Sequence, residues 1–271
     1  MEEIKVKRLE DISMLPPGFL VFISSRSGAG KSHLTTWLAS MMNKKFHQAI
    51  VISPTSSLGR YKQFDFVDQR FHKTPDELDD TLEDIIEIQT KIRQTTPDAS
   101  LLLICDDVFT STSSSGQMST TLNNFVSIRR HYGVSMVLIS QYLKNLSPNI
   151  RNQCSAFITF VPRTMDDRRT IINNFLTREL INHSRKETYA FGESIMDACF
   201  KESPYCALMV DCISTSNKML DNCYCCLAPP KLVNFKMKYL KLKKKKSDDK
   251  DIIEGDDLRF NESYTLFTRD V

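Results

Sequence analysis

The chain has 271 residues, a length that fits one large α/β domain, because single cores stop growing near about 250 to 300 residues. Its 41% hydrophobic and 25% charged residues and net charge of +3 are ordinary for a globular protein, and no apolar run approaches the roughly 18 residues that a membrane span needs. The N-terminus lacks the basic and then apolar segments of a secretory signal, so we expect no membrane span and a reducing compartment.

The first predicted strand leads into a glycine-rich loop. Residues 19–23 are a continuous apolar run typical of a buried parallel strand, and residues 32–42 carry apolar side chains at helical spacing. The loop between them matches G-x-x-x-x-G-K-[ST], except that Ser25 replaces the first glycine. In this motif amides of the loop and of the helix start bind phosphate, the lysine reaches the β- and γ-phosphates, and the hydroxyl ligates Mg²⁺. The residues expected to bind ATP are Ser27, Gly28, Ala29, Gly30, Lys31, Ser32 and His33.

A second strand and a capped helix come next. Residues 49–52 form the second apolar run. Thr74, Pro75 and Glu77 combine an N-cap, a proline in the first turn and the acid of a capping box. This arrangement predicts a helix over residues 75–94.

Two acids follow the third predicted strand, residues 101–105. Asp106 and Asp107 would repel each other at the end of a buried strand unless a cation were present. We expect Asp106 to hold Mg²⁺ together with Ser32, and Asp107 to orient and deprotonate the attacking water. The alternative is that both acids simply begin an exposed loop, since the Ser/Thr-rich residues 110–120 are expected to form a mobile surface loop.

A helical stripe that starts at Leu122 is expected to end at Gly133, before a fourth strand over residues 134–140. Gln141 follows that strand. A side chain at the carboxyl end of a parallel strand faces the same crevice as the phosphates. Gln141 is therefore a candidate sensor of the γ-phosphate, the alternative being a polar residue that merely leaves a strand.

Three arginines are candidates for transition-state stabilisation. An arginine from one subunit can neutralise charge on the nucleotide of its neighbour. Arg129 lies on the packed stripe of its helix, which hints at an interface, and Arg130 and Arg151 are nearby in sequence. Ordinary surface arginines are the alternative for each.

Strands and helices continue to alternate in the later part of the chain. Residues 156–160 read as a fifth strand, residues 165–181 as a helix and residues 205–210 as a late strand. This alternation implies βαβ crossovers. The predicted fold is α/β, with a mainly parallel sheet and helices on both faces.

Eight cysteines are expected to be free thiols, most of them buried, because nothing indicates export. They lack the paired C-x-x-C knuckles of common zinc sites, which argues against zinc. Six of them come late in the chain: Cys199, Cys206, Cys212, Cys223, Cys225 and Cys226.

Charge is unevenly distributed near the C-terminus. Residues 231–246 hold eight lysines and no acid, whereas residues 247–271 hold eight acids against three bases. We expect a P-loop ATPase domain over 1–215, a Cys-containing and Lys-rich extension over 216–246, and an acidic, disordered tail. The lysines can bind a phosphate backbone, direct nuclear import or form a solvated run, and these alternatives stay open.

Three stretches of the sequence carry a family resemblance: PPGFLVFISSRSGAGKS, LLLICDDVF and FVSIRRHYGVSMVLISQYLKNLSPNIR. Together they resemble the viral DNA-packaging ATPases of the poxvirus type, within the HerA/FtsK group of P-loop motors, over roughly residues 15–160. The resemblance implies a RecA-like P-loop NTPase in which the strand ending at Gln141 lies between the phosphate-loop strand and the strand of the acidic pair.

The same resemblance implies a biological role. ATP and Mg²⁺ would be the cofactors, and a homo-oligomeric ring with sites at subunit interfaces would drive duplex DNA into a capsid. A capsid or portal-vertex protein would be the partner, in the cytoplasm or nucleus of an infected host cell or in the virion. The residues that contact DNA are not implied.

Two other functions fit a phosphate loop. A nucleoside or nucleotide kinase would transfer the γ-phosphate to a small acceptor, and some such kinases carry cysteine-bound zinc. A scaffold would bind ATP as a switch without hydrolysing it. ATPase activity measured with and without DNA separates these functions from the motor.

Overall fold

The computed structural model describes residues 4–56, 64–108, 119–143, 147–162, 164–177 and 184–237, and the backbone of 241–244 and 264–267. Residues 110–118 of the predicted surface loop lie outside these ranges, as do residues 238–240 and 245–246 of the lysine run and most of the acidic tail. Among the described residues, no helix combines the length and the apolar character needed to cross a bilayer.

The core of the molecule is a nine-stranded sheet. Its strands, in chain order, are β1 (Lys7–Arg8), β2 (Leu20–Ser24), β3 (Gln48–Ile52), β4 (His72–Lys73), β5 (Leu101–Asp106), β6 (Val134–Ser140), β7 (Ala156–Thr159), β8 (Ala207–Asp211) and β9 (Cys223–Cys226). The order across the sheet is β1-β9-β8-β7-β2-β6-β5-β3-β4. Only β8 runs antiparallel to its neighbours. The predicted α/β class with a mainly parallel sheet is confirmed.

Six α-helices connect and cover the strands of the described chain. They are α1 (Lys31–Met41), α2 (Leu78–Thr95), α3 (Thr120–Ile128), α4 (Pro148–Gln153), α5 (Met165–Phe175) and α6 (Arg185–Phe200). The capping box predicted at Thr74 and Glu77 is present, at a short 3-10 helix that precedes α2. Helix α5 ends before residue 181, the expected end, and residues 178–181 lie outside the described part.

Helices cover both faces of the central sheet. Every residue of β2, β5 and β6 is buried, which requires cover on both faces of the sheet. On one face the Phe157 ring stacks on Phe22 at 6.3 Å and on Phe175 of α5 at 3.9 Å. These continuous apolar runs therefore form a shared core.

Strand β6 lies between β2 and β5, in parallel with both. This confirms the central position that the resemblance implies for the strand ending at Gln141. Because the three strands are parallel, their carboxyl ends meet along one side of the sheet, here called the carboxyl edge. The opposite side, where these strands begin, is the amino edge.

The sheet continues past residue 215, where we expected the ATPase domain to end. Strand β9 pairs with β8 and with β1, so its cysteines belong to the same core. After β9 the chain reaches the other side of the molecule, where the Phe235 ring stacks on Phe66 at 4.7 Å. Within the expected disordered tail, Tyr264–Phe267 (β11) pairs antiparallel with Lys241–Lys244 (β10) of the lysine run.

Candidate functional site

The glycine-rich loop joins β2 to α1 at the carboxyl edge. Gly28 and Gly30 have φ values of 76° and 101°, in the left-handed region that favours glycine. Nothing lies within 4 Å of a methyl group built on Gly28, so the loop is open on that side. The Ser25 amide donates to the Ser140 carbonyl at 3.1 Å, and the buried Ser25 hydroxyl has no hydrogen-bond partner among the described residues.

Lys31 is the first residue of α1 and is only 8% exposed. Its Nζ donates to the carbonyls of Ser25 at 2.7 Å and of Arg26 at 3.0 Å. Burial lowers the pKa of Lys31, and the negative charges of Asp107 and Asp106 partly offset this effect. A buried ammonium group, an open loop with left-handed glycines and an orphaned hydroxyl form a site that fits a phosphate chain.

The two acids lie at the end of β5, as predicted. Asp106 is the last residue of the strand and is 8% exposed. Asp107 has φ 52°, an uncommon conformation for a residue other than glycine. Its amide donates to the Ile139 carbonyl of β6 at 2.9 Å, so the neighbouring strand holds the backbone of the turn that carries this carboxylate.

Gln141 contacts Asp107 through two hydrogen bonds. The Gln141 amide donates to Asp107 Oδ1 at 3.0 Å, and its side-chain Nε2 donates to Oδ2 at 2.6 Å. Because β6 separates β2 from β5, Gln141 lies between the glycine-rich loop and the acids. The expected sensor of the γ-phosphate is thus bound to the expected base, which links the two predicted roles.

Aromatic and C-terminal residues form a further wall of the loop. A methyl group built on Gly30 would lie 3.7 Å from the Phe160 ring and 3.9 Å from the Tyr205 ring, and Tyr205 is 64% exposed. The ring of His33 is hydrogen-bonded to the Pro229 carbonyl at 2.8 Å, so that ring is occupied by the segment that follows β9.

Sequence reasoning missed this wall, which contains Phe160, Tyr205 and Pro229. Tyr205 reaches the carboxyl edge because β8 is antiparallel to β7, with Leu208 opposite Thr159. A local sequence pattern can indicate that a strand is present, but it does not give the direction of the strand. No signal in the sequence identifies the wall.

Arg129 lies at the amino edge of the sheet, on the side opposite the glycine-rich loop. It is 0% exposed, and its guanidinium donates to the carbonyls of Phe19, Val126 and Gln153. Burial, together with the charge of Arg130, lowers the pKa of Arg129 to about 10. A side chain that is enclosed by main-chain carbonyls of its own subunit cannot reach the nucleotide of a neighbouring one.

The other two arginines remain accessible to differing degrees. Arg130 is exposed, and its Cγ would lie 2.9 Å from a methyl group built on Gly18, which places Arg130 at the amino edge too. Arg151 on α4 is partly buried and donates to Asn174 Oδ1 at 2.6 Å. Arg129 and Arg130 therefore lie at the amino edge, whereas the site described above lies at the carboxyl edge.

Comparison with known proteins identifies the family. A family model described as the poxvirus A32 protein matches residues 6–227, which is most of the chain. The chain belongs to the poxvirus A32 protein family. An A32 protein is a viral protein, which is made in the infected cell. No curated protein matches the sequence.

Solved structures share the fold of this A32-family chain. The genome packaging NTPase B204 of Sulfolobus turreted icosahedral virus 2, in complex with ATP-gammaS, matches with 17% identity and a TM-score of 0.52, over 74% of this chain and 96% of that one. The same NTPase in complex with AMPPCP matches with 19% identity and a TM-score of 0.50, over the same shares. The cytoplasmic domain of the Thermomonospora curvata type VII secretion ATPase EccC matches with 13% identity and a TM-score of 0.49, over 78% of this chain and 27% of that one. The two B204 matches show that the A32-family chain has a P-loop NTPase fold.

Proposed function

We propose that this chain is an ATP-driven translocase that packages viral duplex DNA into a capsid. Its family is viral, and its fold is shared with a viral genome packaging NTPase that binds ATP analogues. The observation that carries the proposal is the pair of hydrogen bonds between Gln141 and Asp107. This pair joins the central strand to the acidic strand beside the phosphate loop, and such a link can transmit the state of the nucleotide.

ATP binds across the loop from Ser27 to His33. The triphosphate accepts hydrogen bonds from the amides of the loop and of the first turn of α1, and it displaces the Lys31 ammonium from the Ser25 and Arg26 carbonyls. The exposed Tyr205 ring lies against the base or the ribose. The chain thus holds the nucleotide between α1 and the wall formed by β8.

Ser32 and Asp106 are the residues that would hold Mg²⁺. A hydroxyl and a carboxylate are oxygen ligands of the kind that Mg²⁺ prefers. When bound, this ion would neutralise the charge that develops on the β- and γ-phosphate oxygens.

Hydrolysis then depends on Asp107 and Gln141. The Asp107 carboxylate accepts a proton from the attacking water, and Gln141 fixes the direction in which this carboxylate points. Both Gln141 hydrogen bonds go to Asp107, so a shift of Asp107 when the water or the γ-phosphate leaves would also move Gln141 and the end of β6. A movement of β6 relative to β5 would couple ATP hydrolysis to a conformational change in the rest of the subunit.

The working assembly is a ring of identical subunits at the capsid entrance. Arg130 and Arg151 are the arginines that could reach a neighbour's nucleotide, whereas the burial of Arg129 argues against this role for it. The lysines of residues 231–246 contact the DNA backbone, which gives salt-dependent binding without sequence specificity. A capsid or portal-vertex protein anchors the ring.

The test is ATP hydrolysis by the full chain with and without duplex DNA. We expect Mg²⁺-dependent turnover that needs no nucleoside acceptor and that rises several-fold with duplex DNA, and that falls as salt is raised. Turnover that requires a nucleoside and ignores DNA would instead identify a kinase. ATP binding without turnover, unchanged in Asp107→Asn, would identify a nucleotide-dependent scaffold.

A further inference from the structure

Three cysteine thiols meet inside the outer part of the sheet. Cys199 lies in the last turn of α6, Cys206 directly precedes β8, and Cys225 lies in β9. All three are buried, their Sγ atoms lie within 4.8 Å of one another, and the Sγ atoms of Cys199 and Cys206 are 3.6 Å apart. Cys199 and Cys206 are 7 residues apart in sequence, and Cys206 and Cys225 are 19 residues apart. The tertiary fold brings the three thiols together.

The spacing of the three sulfur atoms fits a tetrahedral metal site. A Zn–S bond of about 2.3 Å and tetrahedral angles place two sulfur ligands about 3.8 Å apart. A disulfide would need an S–S distance of about 2.0 Å. The Sγ–Sγ distances in this cluster, 3.6 Å for one pair and at most 4.8 Å for the others, are close to this distance. Small side-chain movements would therefore suffice to bind an ion.

The backbone holds the three segments firmly. The turn from α6 to β8 is closed by hydrogen bonds from the Glu202 amide to the Cys199 carbonyl at 3.4 Å and from the Cys206 amide to the Ser203 carbonyl at 3.0 Å. Strand pairing places Cys225 opposite Leu208 of β8. Most of the ordering that a metal would otherwise have to impose is therefore already present.

A charged pair of side chains lies next to the cluster. Arg8 of β1 interacts electrostatically with Cys206 and with Cys225, and Glu202 interacts with Cys206. The NH2 group of Arg8 donates to the Glu202 carboxylate at 3.0 Å. Three thiolates and one Zn²⁺ carry a net charge of −1, and the Arg8–Glu202 ion pair places a cation near that charge.

We propose that Cys199, Cys206 and Cys225 bind one Zn²⁺ ion that stabilises this part of the fold. Each thiol that is protonated before binding releases its proton to solvent as its sulfur becomes a ligand. The ion joins α6, β8 and β9, and Arg8 extends the connection to β1. Since Cys206 follows Tyr205, the ion also fixes the wall beside the phosphate loop.

The first test is the metal content of the full-length protein, purified without chelators after growth with added zinc. We expect about one zinc per chain in the wild type and less than about a tenth of that in Cys225→Ala. The matched control is Cys223→Ala, which removes another buried thiol from β9, two residues away and outside the cluster. This control should keep its zinc.

A second measurement does not depend on how the variants fold. Titration of the metal-free wild type with Co²⁺ should produce thiolate-to-cobalt charge-transfer absorption that saturates at one equivalent, and Zn²⁺ should abolish it. Absence of both stoichiometric zinc and this absorption in the wild type would overturn the proposal. So would equal zinc content in Cys225→Ala and Cys223→Ala, or a Cys199–Cys206 disulfide in the native protein. ATPase activity plays no part in these readouts, so they stand or fall apart from the packaging function.

Discussion

The sheet has a buried cation at each edge, and the two cations differ in the groups that bind them. Lys31 at the carboxyl edge is 8% exposed, and Arg129 at the amino edge is 0% exposed. Lys31 donates to two loop carbonyls and lies in the field of two acids. Arg129 donates to main-chain carbonyls of three separate segments. Burial of a cation therefore does not by itself indicate catalysis.

The partners of the two cations explain the difference. The partners of Lys31 belong to an open loop, and a phosphate chain can replace them. The carbonyls that bind Arg129 belong to Phe19, just before β2, to Val126 of α3 and to Gln153 of α4. Because they are buried with Arg129, no ligand from solvent can take their place. The first cation is held ready for a ligand, and the second connects three parts of the core.

The Lys31→Ala substitution provides the largest contrast. We expect ATP turnover, measured as kcat/KM, to fall by about 10³-fold or more, because the charge that binds the β- and γ-phosphates is lost. Thermal unfolding should change little, since only a surface loop loses its hydrogen bonds. Lys91→Ala, at an exposed ion pair on α2, is the control and should keep full activity. Full activity in Lys31→Ala would contradict the site.

The Arg129→Ala substitution should show the reverse pattern. Removing the guanidinium takes one donor from each of three main-chain carbonyls, of which that of Phe19 keeps the Met136 amide, and leaves a cavity in the core. We expect a loss of about 3–5 kcal/mol in the free energy of unfolding. For a chain of this size that corresponds to a melting temperature roughly 10 °C lower. Calorimetry measures it, and Arg130→Ala, at the exposed neighbour, should change the melting temperature little. A stable Arg129→Ala protein with lost turnover would restore the catalytic role first expected for Arg129.

The Asp107 and Gln141 pair tests whether the carboxyl edge works as a unit. Asp107→Asn should lower kcat by roughly 10² or more, because the base that takes the proton from water is lost. Gln141→Ala should lower it less, and adding it to Asp107→Asn should have almost no further effect, because Gln141 acts through Asp107. Single-turnover kinetics of the two single variants and the double variant measure this. Additive losses would instead support direct contact between Gln141 and the γ-phosphate.

Tyr205 gives the smallest expected effect. Stacking on a base contributes about 1 kcal/mol or more, so Tyr205→Ala should raise the KM for ATP about 5-fold and leave kcat unchanged. Tyr205→Phe keeps the ring and should behave as wild type in the same steady-state assay. An unchanged KM in Tyr205→Ala would remove this residue from the nucleotide site.

Much of the carboxyl edge could be predicted because its candidate functional residues lie at the ends of strands. The glycine-rich loop follows β2, Asp106 ends β5 and Asp107 follows it, and Gln141 follows β6. Apolar runs identify such strands, and parallel pairing brings their ends together. The same reasoning gave Arg129 a catalytic role that its burial does not support, because a helical stripe does not distinguish an interface from the core of the same subunit.

The sequence alone thus determined six of the nine strands, the α/β class and the position of the glycine-rich loop, since these depend on local apolar periodicity and on motif spacing. The tertiary structure alone decided the enclosure of Arg129, the position of Tyr205 beside Gly30 and the meeting of Cys199, Cys206 and Cys225. The enclosure of Arg129 depends on how α3 and α4 pack beside the start of β2, and the other two features depend on the direction and pairing of β8 and β9. Such pairing joins residues far apart in the chain, and no local pattern encodes it.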